Sequence, residues 1–176
     1  MKSRSWYLIT VSLLAANLMQ LSGAGQSSAP GAGSSSVTLT LSSTATNHKI
    51  GAPMIVTVTM TNNGKSDYVW EAERPDPAYR NFRFQLTTSR GDDVVTTAYH
   101  RKITGKQLPS DPAEAVSGSS MFATLRAGQS VQFTVDLTKL YQIERPGTYT
   151  LVVARREDPL NKLNGRSKPL QIDIVP

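Results

Sequence analysis

The chain has 176 residues, 39% of them hydrophobic and 18% charged, with a formal net charge of +6 and no cysteine. The lack of cysteine excludes a disulfide framework, a thiol nucleophile, a thiolate metal site and an iron–sulfur cluster, so the fold must stand on its apolar core. Basic residues are scattered, with pairs only at Arg101-Lys102 and Arg155-Arg156, which is not the clustered pattern of a nucleic-acid binder.

Lys2 and Arg4 open the chain, Trp6 to Met19 is apolar apart from Thr10, Ser12 and Asn17, and Ser22 and Ala24 are small residues two apart. This is the layout of a secretory signal peptide over residues 1–24, with cleavage expected after Ala24. A membrane anchor is the alternative, but the apolar run falls short of the roughly 20 residues a bilayer span needs. A polar Ser/Gly segment also follows it. Leu21-Ser22-Gly23-Ala24 resembles a bacterial lipoprotein box in which alanine replaces the lipidated cysteine, and alanine cannot carry the thioether. The expected location is periplasmic or secreted, with no later membrane span. Removing Lys2 and Arg4 leaves a charge near +4, a mild field that suits solubility and could favour anionic cell-envelope polymers. Residues 25–36, GQSSAPGAGSSS, hold nothing that can bury a core and read as a flexible leader.

From residue 37 the apolar period is two. Val37, Leu39 and Leu41 alternate with Thr38, Thr40 and Ser42, and after the break at Gly51-Ala52-Pro53, Val56, Val58 and Met60 alternate with threonines. Such β-branched alternation reads as half-buried strands. Asn62-Asn63-Gly64-Lys65 reads as a tight turn, and Tyr68-Val69-Trp70 begins a third strand that Pro75 and Pro77 break by removing ladder donors. Phe82, Phe84 and Leu86 form the next row, Ser89-Arg90-Gly91-Asp92 turns the chain, and Val94–Tyr99 is expected to continue extended. Residues 101–119 show no periodicity and are expected to be one long irregular loop. Val131, Phe133, Val135 and Leu137, then Tyr149, Leu151 and Val153, then Leu170, Ile172 and Ile174 are further rows, with a short helical turn expected within Thr138–Ile143. Strands joined by turns rather than helices argue for antiparallel sheets. Residues 37–176 are expected to form one all-β domain, an antiparallel immunoglobulin-like β-sandwich of seven to eight strands, with a small barrel as the alternative. A domain this long can bury about two-thirds of its unfolded surface.

Within Leu125–Val153 the order AGQS, VQFTVDL, KLY, PGTYTL resembles the second half of secreted bacterial immunoglobulin-like modules. Gly51–Asn62 is similar to their second strand. The same layout occurs in proteinase-inhibitor-like modules, macroglobulin-type domains and non-catalytic domains attached to peptidases. The resemblance implies structural jobs: Gly128 and Gly147 for turns, Tyr141 as a corner hydroxyl, Tyr149 in the core. It carries over no functional residue.

Catalysis has little to stand on. His48 and His100 are the only histidines; neither sits in a zinc, hydrolase or transferase motif, and both are expected at the surface. No cofactor cradle is visible, and Asp92-Asp93 supplies too few oxygens for calcium. Arg90-Gly91-Asp92 spells an adhesion tripeptide, although turn chemistry alone explains it. The candidate partner-binding residues are Trp70, Glu73, Asp76 and Tyr79 on one segment, and Arg101, Lys102 and Lys106 on another. Trp and Tyr are favoured interface anchors; equally, Trp70 can fill the core as in other sandwiches. The 101–119 segment reads as a binding strap, a protease bait or a mobile insertion. The expected function is a non-enzymatic binding module for a protein or cell-envelope ligand, with a secreted proteinase inhibitor and then an enzyme of unrecognised type as alternatives.

Overall fold

The computed structural model describes residues 37–74, 81–113, 119–157 and 162–176, with the backbone alone at 71–74, 119–121, 156–157 and 162–164. The signal segment 1–24 and the leader 25–36 lie outside these residues.

Among the described residues the strands are β1 (Val37–Ser43), β2 (Asn47–Lys49), β3 (Ile55–Asn62), β4 (Tyr68–Arg74), β5 (Phe82–Thr88), β6 (Ser119–Leu125), β7 (Ser130–Asp136), β8 (Gly147–Glu157), β9 (Lys162–Arg166) and β10 (Leu170–Val175), and a short helix, α1 (Ala98–Ile103), lies between β5 and β6. One sheet has the order β1-β3-β7 and the other β2-β10-β8-β5, with β9 added against β8. β4 and β6 pair as a separate two-stranded ribbon. The eight strands of the two sheets form the immunoglobulin-like sandwich. Period-two alternation turns one face of each strand inward. Val37 and Leu39, Val56, Val58 and Met60, Val135, Phe82, Phe84 and Leu86, Leu151 and Val153, and Ile172 and Ile174 are all buried in a single core. Register places Leu39 opposite Met60, Val56 opposite Val135 and Leu86 opposite Leu151. The ring of Phe82 on β5 meets that of Phe133 on β7 at 5.6 Å, joining the sheets.

The chain's first extended segment is shared between the sheets: β1 pairs antiparallel with β3, then β2 pairs parallel with β10. At that crossing His48 is buried, its Nε2 lying 2.8 Å from the Ser43 hydroxyl. The sequence placed His48 in a solvated turn; the crossing puts it inside because β2 alternates about His48 as its one inward residue.

Two turns at the end of β3 and the start of β7 are fastened by Asn62, which is fully buried. Its Nδ2 donates to the carbonyls of Ser66 and Leu125, each at 2.9 Å, and its Oδ1 accepts from the Gly64 N–H at 2.9 Å. Its backbone N–H donates to Gln129 and its carbonyl accepts from Gly128. Gly128 sits at φ 76°, a conformation that a side chain would disfavour.

The corner before β8 is closed by Tyr149, not by Tyr141. The Tyr149 hydroxyl donates to the Arg145 carbonyl at 2.8 Å, which is the corner geometry of this fold. Tyr141 is buried elsewhere, its hydroxyl tied to the Leu86 backbone. The helical turn expected after β7 is present at Leu137–Lys139, capped by Asp136, whose Oδ1 accepts from Thr138 N–H and from Met54 N–H, both at 3.1 Å.

Candidate functional site

After β5 the chain turns at an exposed tip, Ser89 to Asp92. Gly91 takes φ 87° and donates to the Thr88 carbonyl, and Thr88 donates to that of Asp92. These bonds account for the Arg-Gly-Asp spelling as turn chemistry. The extended run expected over Val94–Tyr99 is not formed. Isolated bridges join Asp93 to Thr87 and Thr96 to Tyr141, and then α1 begins. Thr97 is its N-cap, accepting from the His100 N–H at 3.1 Å and donating to the Lys139 carbonyl at 2.6 Å. His100, Arg101 and Lys102 fill its last turn, where positive charge is favoured, and the Thr104 hydroxyl donates to the His100 carbonyl at 2.8 Å.

The irregular loop expected from 101 onward is therefore ordered over its first part. Arg101 grips Asp111 in a two-pronged pair: Nε donates to Oδ2 at 2.9 Å and Nη2 to Oδ1. Nη1 donates to the Thr96 carbonyl. Asp111 also accepts from the Leu108 N–H at 2.8 Å, so one carboxylate closes the strap 104–113 onto the helix. The hydrogen bond from Arg101, then that from Leu108, holds the Asp111 carboxyl down at about 2. The Asp111 side chain is 4% exposed, whereas Lys106 and Gln107 are exposed and Leu108 is half-exposed at the strap's tip.

Beneath the strap lies a pocket of about 250 Å³ walled by β5, the 93–96 segment, α1 and Tyr141. His100 lines it and is 7% exposed, with Nδ1 buried and without a hydrogen-bond partner. The sequence placed His100 at the surface. It is inside because α1 replaces the expected strand and turns the ring against Tyr141, edge to face at 5.2 Å. Burial pushes the His100 pKa down, a hydrogen bond to the Leu140 backbone opposes this, and the positive charge of Lys106 adds to the lowering. The lowering favours the neutral ring. Its one N–H is taken by Leu140, which leaves Nδ1 as a bare acceptor. Burial raises the Tyr141 pKa, with Asp93 adding to the rise, so that hydroxyl stays protonated.

Trp70, open in the sequence between core and interface, is in the core: it is buried, with its ring edge-on to Phe133 at 5.3 Å. The guanidinium of Arg155 lies 5.3 Å over the same ring, and Arg155 is itself buried, donating to the Tyr68 hydroxyl and the Asn81 carbonyl. Glu73 lies on β4, and Asp76 and Tyr79 lie outside the described residues. Arg101 and Lys106 come together on the strap and pocket wall, and Lys102 is half-buried on α1. Sequence reasoning missed His100 as a pocket residue and Asp111 as the strap's anchor; Thr97, a capping residue three before His100, was the available signal. Among the described residues no three His, Asp or Glu side chains converge on a metal site. No helix among them is long and apolar enough to cross a membrane.

No family model matches the sequence, and no curated protein does. Among solved structures, the fold is similar to a CARDB domain from Pyrococcus furiosus, solved with di-metal ions (TM-score 0.43, 10% identity, 79% of this chain and 87% of that one). It is also similar to part of the alkylpurine DNA glycosylase AlkC of Pseudomonas fluorescens (TM-score 0.39, 10% identity, 82% of this chain and 32% of that one). A third is the β-glucosidase of Listeria innocua (TM-score 0.39, 16% identity, 78% of this chain and 16% of that one).

Proposed function

We propose that this chain is an exported, non-catalytic binding module, acting in the periplasm or outside the cell on a protein or cell-envelope ligand. The observation that carries this reading is the strap 104–113, which Arg101 and Asp111 brace at its base while Lys106, Gln107 and Leu108 stay open to a partner. A loop held in its binding shape by a rigid scaffold loses less freedom on association, which is where such modules gain affinity. Export follows from the signal-like segment 1–24 and the polar leader after it.

The test is capture from a native envelope and secreted extract on the immobilised chain, beside a copy whose residues 104–113 are replaced by Gly and Ser. A partner held by the first and lost by the second supports the reading; identical capture by both removes the strap from it. Mass spectrometry of the exported chain should find Gly25 as its first residue, and an intact Met1 would contradict export by cleavage.

The bracing favours one second reading, a proteinase inhibitor, because a blocking loop must resist the enzyme that it enters. It predicts that a protease captured through the strap is inhibited, and that the complex outlasts cleavage at Lys106 or Leu108.

A further inference from the structure

Beyond the strap's surface, the molecule holds a recess with its own chemistry. We propose that the pocket between β5 and α1 is a binding site for a small hydroxylated carboxylate of about monosaccharide size, whose hydroxyl donates to His100 Nδ1 and whose carboxylate is held by Arg83 and Lys106.

Size comes first. A volume of about 250 Å³ equals roughly eight waters at their liquid share of space, smaller than the pockets that take drug-sized ligands. One sugar-acid ring fits that scale.

The polar groups then select the class. His100 is more than nine-tenths buried and its Nδ1 has no partner in the protein. A buried acceptor left unpaired is costly, so the site gains from a ligand that brings a donor. Among the wall's cations Arg101 is already committed to Asp111 and Thr96. Arg83 and Lys106 are both exposed residues of the same wall. The charge of Lys106 is felt at the His100 ring, whereas at the Tyr141 hydroxyl the negative charge of Asp93 outweighs that of Arg83. An anion is favoured at the Lys106 end of the pocket, away from Asp93. The same positive field opposes an ammonium as the donor to Nδ1, which leaves a neutral hydroxyl. Asp93, which accepts from Gln85 Nε2 at 3.4 Å, offers a second acceptor for a polyhydroxylated ligand and disfavours a bare dianion. A neutral sugar lacks the charge that this wall reads, and a simple alkyl carboxylate lacks the donor.

Calorimetry on the full chain at pH 7.5 tests this with three probes: glucuronate, glucose and propionate. Glucuronate should bind with one-to-one saturation at millimolar concentration or below. Glucose and propionate should each bind about tenfold or more weakly, the loss of one charge-assisted or buried hydrogen bond. Lys106→Gln, at an exposed position with no part in the core, should weaken glucuronate about three- to tenfold and leave glucose unchanged. His100→Phe should abolish the preference for glucuronate over propionate; should that variant fail to fold, the ¹⁵N shift of His100 Nδ1 in the native chain replaces it and should move on addition of glucuronate. No saturation by glucuronate overturns the proposal. So does equal binding of glucose and glucuronate, or an Nδ1 signal that stays fixed while glucuronate binds.

Discussion

Replacing Asn62 with alanine probes the point where two turns are fastened together. The side chain makes three hydrogen bonds, to Ser66, Leu125 and Gly64, from a position with no solvent exposure. The Ser66 and Gly64 groups lie toward the surface and can find water, so each loss should cost about 0.5 kcal/mol, the low end for a net hydrogen bond. The bond to Leu125 is buried, and stranding that carbonyl should cost about 1–3 kcal/mol. Asn62→Ala should therefore destabilise the fold by about 2–4 kcal/mol, a large share of the typical stability of a single domain. In urea, with a slope of about 2 kcal/mol per molar, the midpoint should fall by about 1–2 M at unchanged slope. Asn62→Asp should be worse than alanine, because it keeps the acceptor for Gly64 but points a carboxylate oxygen at two carbonyls inside the protein. A loss below about 0.5 kcal/mol for the alanine variant, or an aspartate variant milder than the alanine one, would refute the reasoning.

Three other perturbations follow from the same geometry. Tyr149→Phe removes the bond that closes the corner onto Arg145 and should cost about 1 kcal/mol by chemical denaturation, without change to pocket binding. His100 has a folded pKa below its ordinary value, so the unfolded chain binds more protons than the folded one as pH falls below 6.5; stability should drop over that range, and His100→Phe, if folded, should flatten the slope. The Asp111 carboxyl, depressed to about 2, gives a contribution that is complete above about pH 4 and lost as pH falls through 2. Hydrogen exchange at the Leu108 amide should therefore stay slow from pH 7 to 4, after correction for intrinsic rates, and lose protection below; loss of protection already at pH 5 would contradict the assignment.

The sandwich was legible because its signal is repeated: Val56, Val58 and Met60 on β3, like Ile172 and Ile174 on β10, alternate in a way that only a strand with one buried face requires. Trp70 was legible as a core candidate by analogy with the buried Trp of other sandwiches, and it shares one face of the β4–β6 ribbon with Tyr68, Ala123 and Leu125. The site was not legible, because its elements are too short to have a period. α1 has six residues and exists through the Thr97 and Thr104 caps and its packing rather than through an apolar stripe. Arg101 and Asp111 stand ten residues apart in a segment without pattern, and only the turn between them brings the fork to the carboxylate. Each histidine's burial depends on a tertiary event, the passage of the chain between sheets for His48 and the ring of Tyr141 for His100. Tyr149 is in the core as expected but also supplies the corner hydroxyl in place of Tyr141, because that choice depends on where the chain turns into β8, which neither residue's neighbours in sequence specify.

The central claim, that 104–113 is a braced strap rather than a mobile insertion, meets its most direct test in trypsin. Between Arg101 and Arg126 the only other basic residues are Lys102 and Lys106, so cuts in this stretch report the strap and little else. At pH 8 the native chain should resist cleavage at Lys106 while Asp111→Asn is cut there at least about tenfold faster, as loss of the fork frees the loop. Equal, rapid cleavage of both proteins at Lys106 would show an insertion with no fixed shape and would contradict the account.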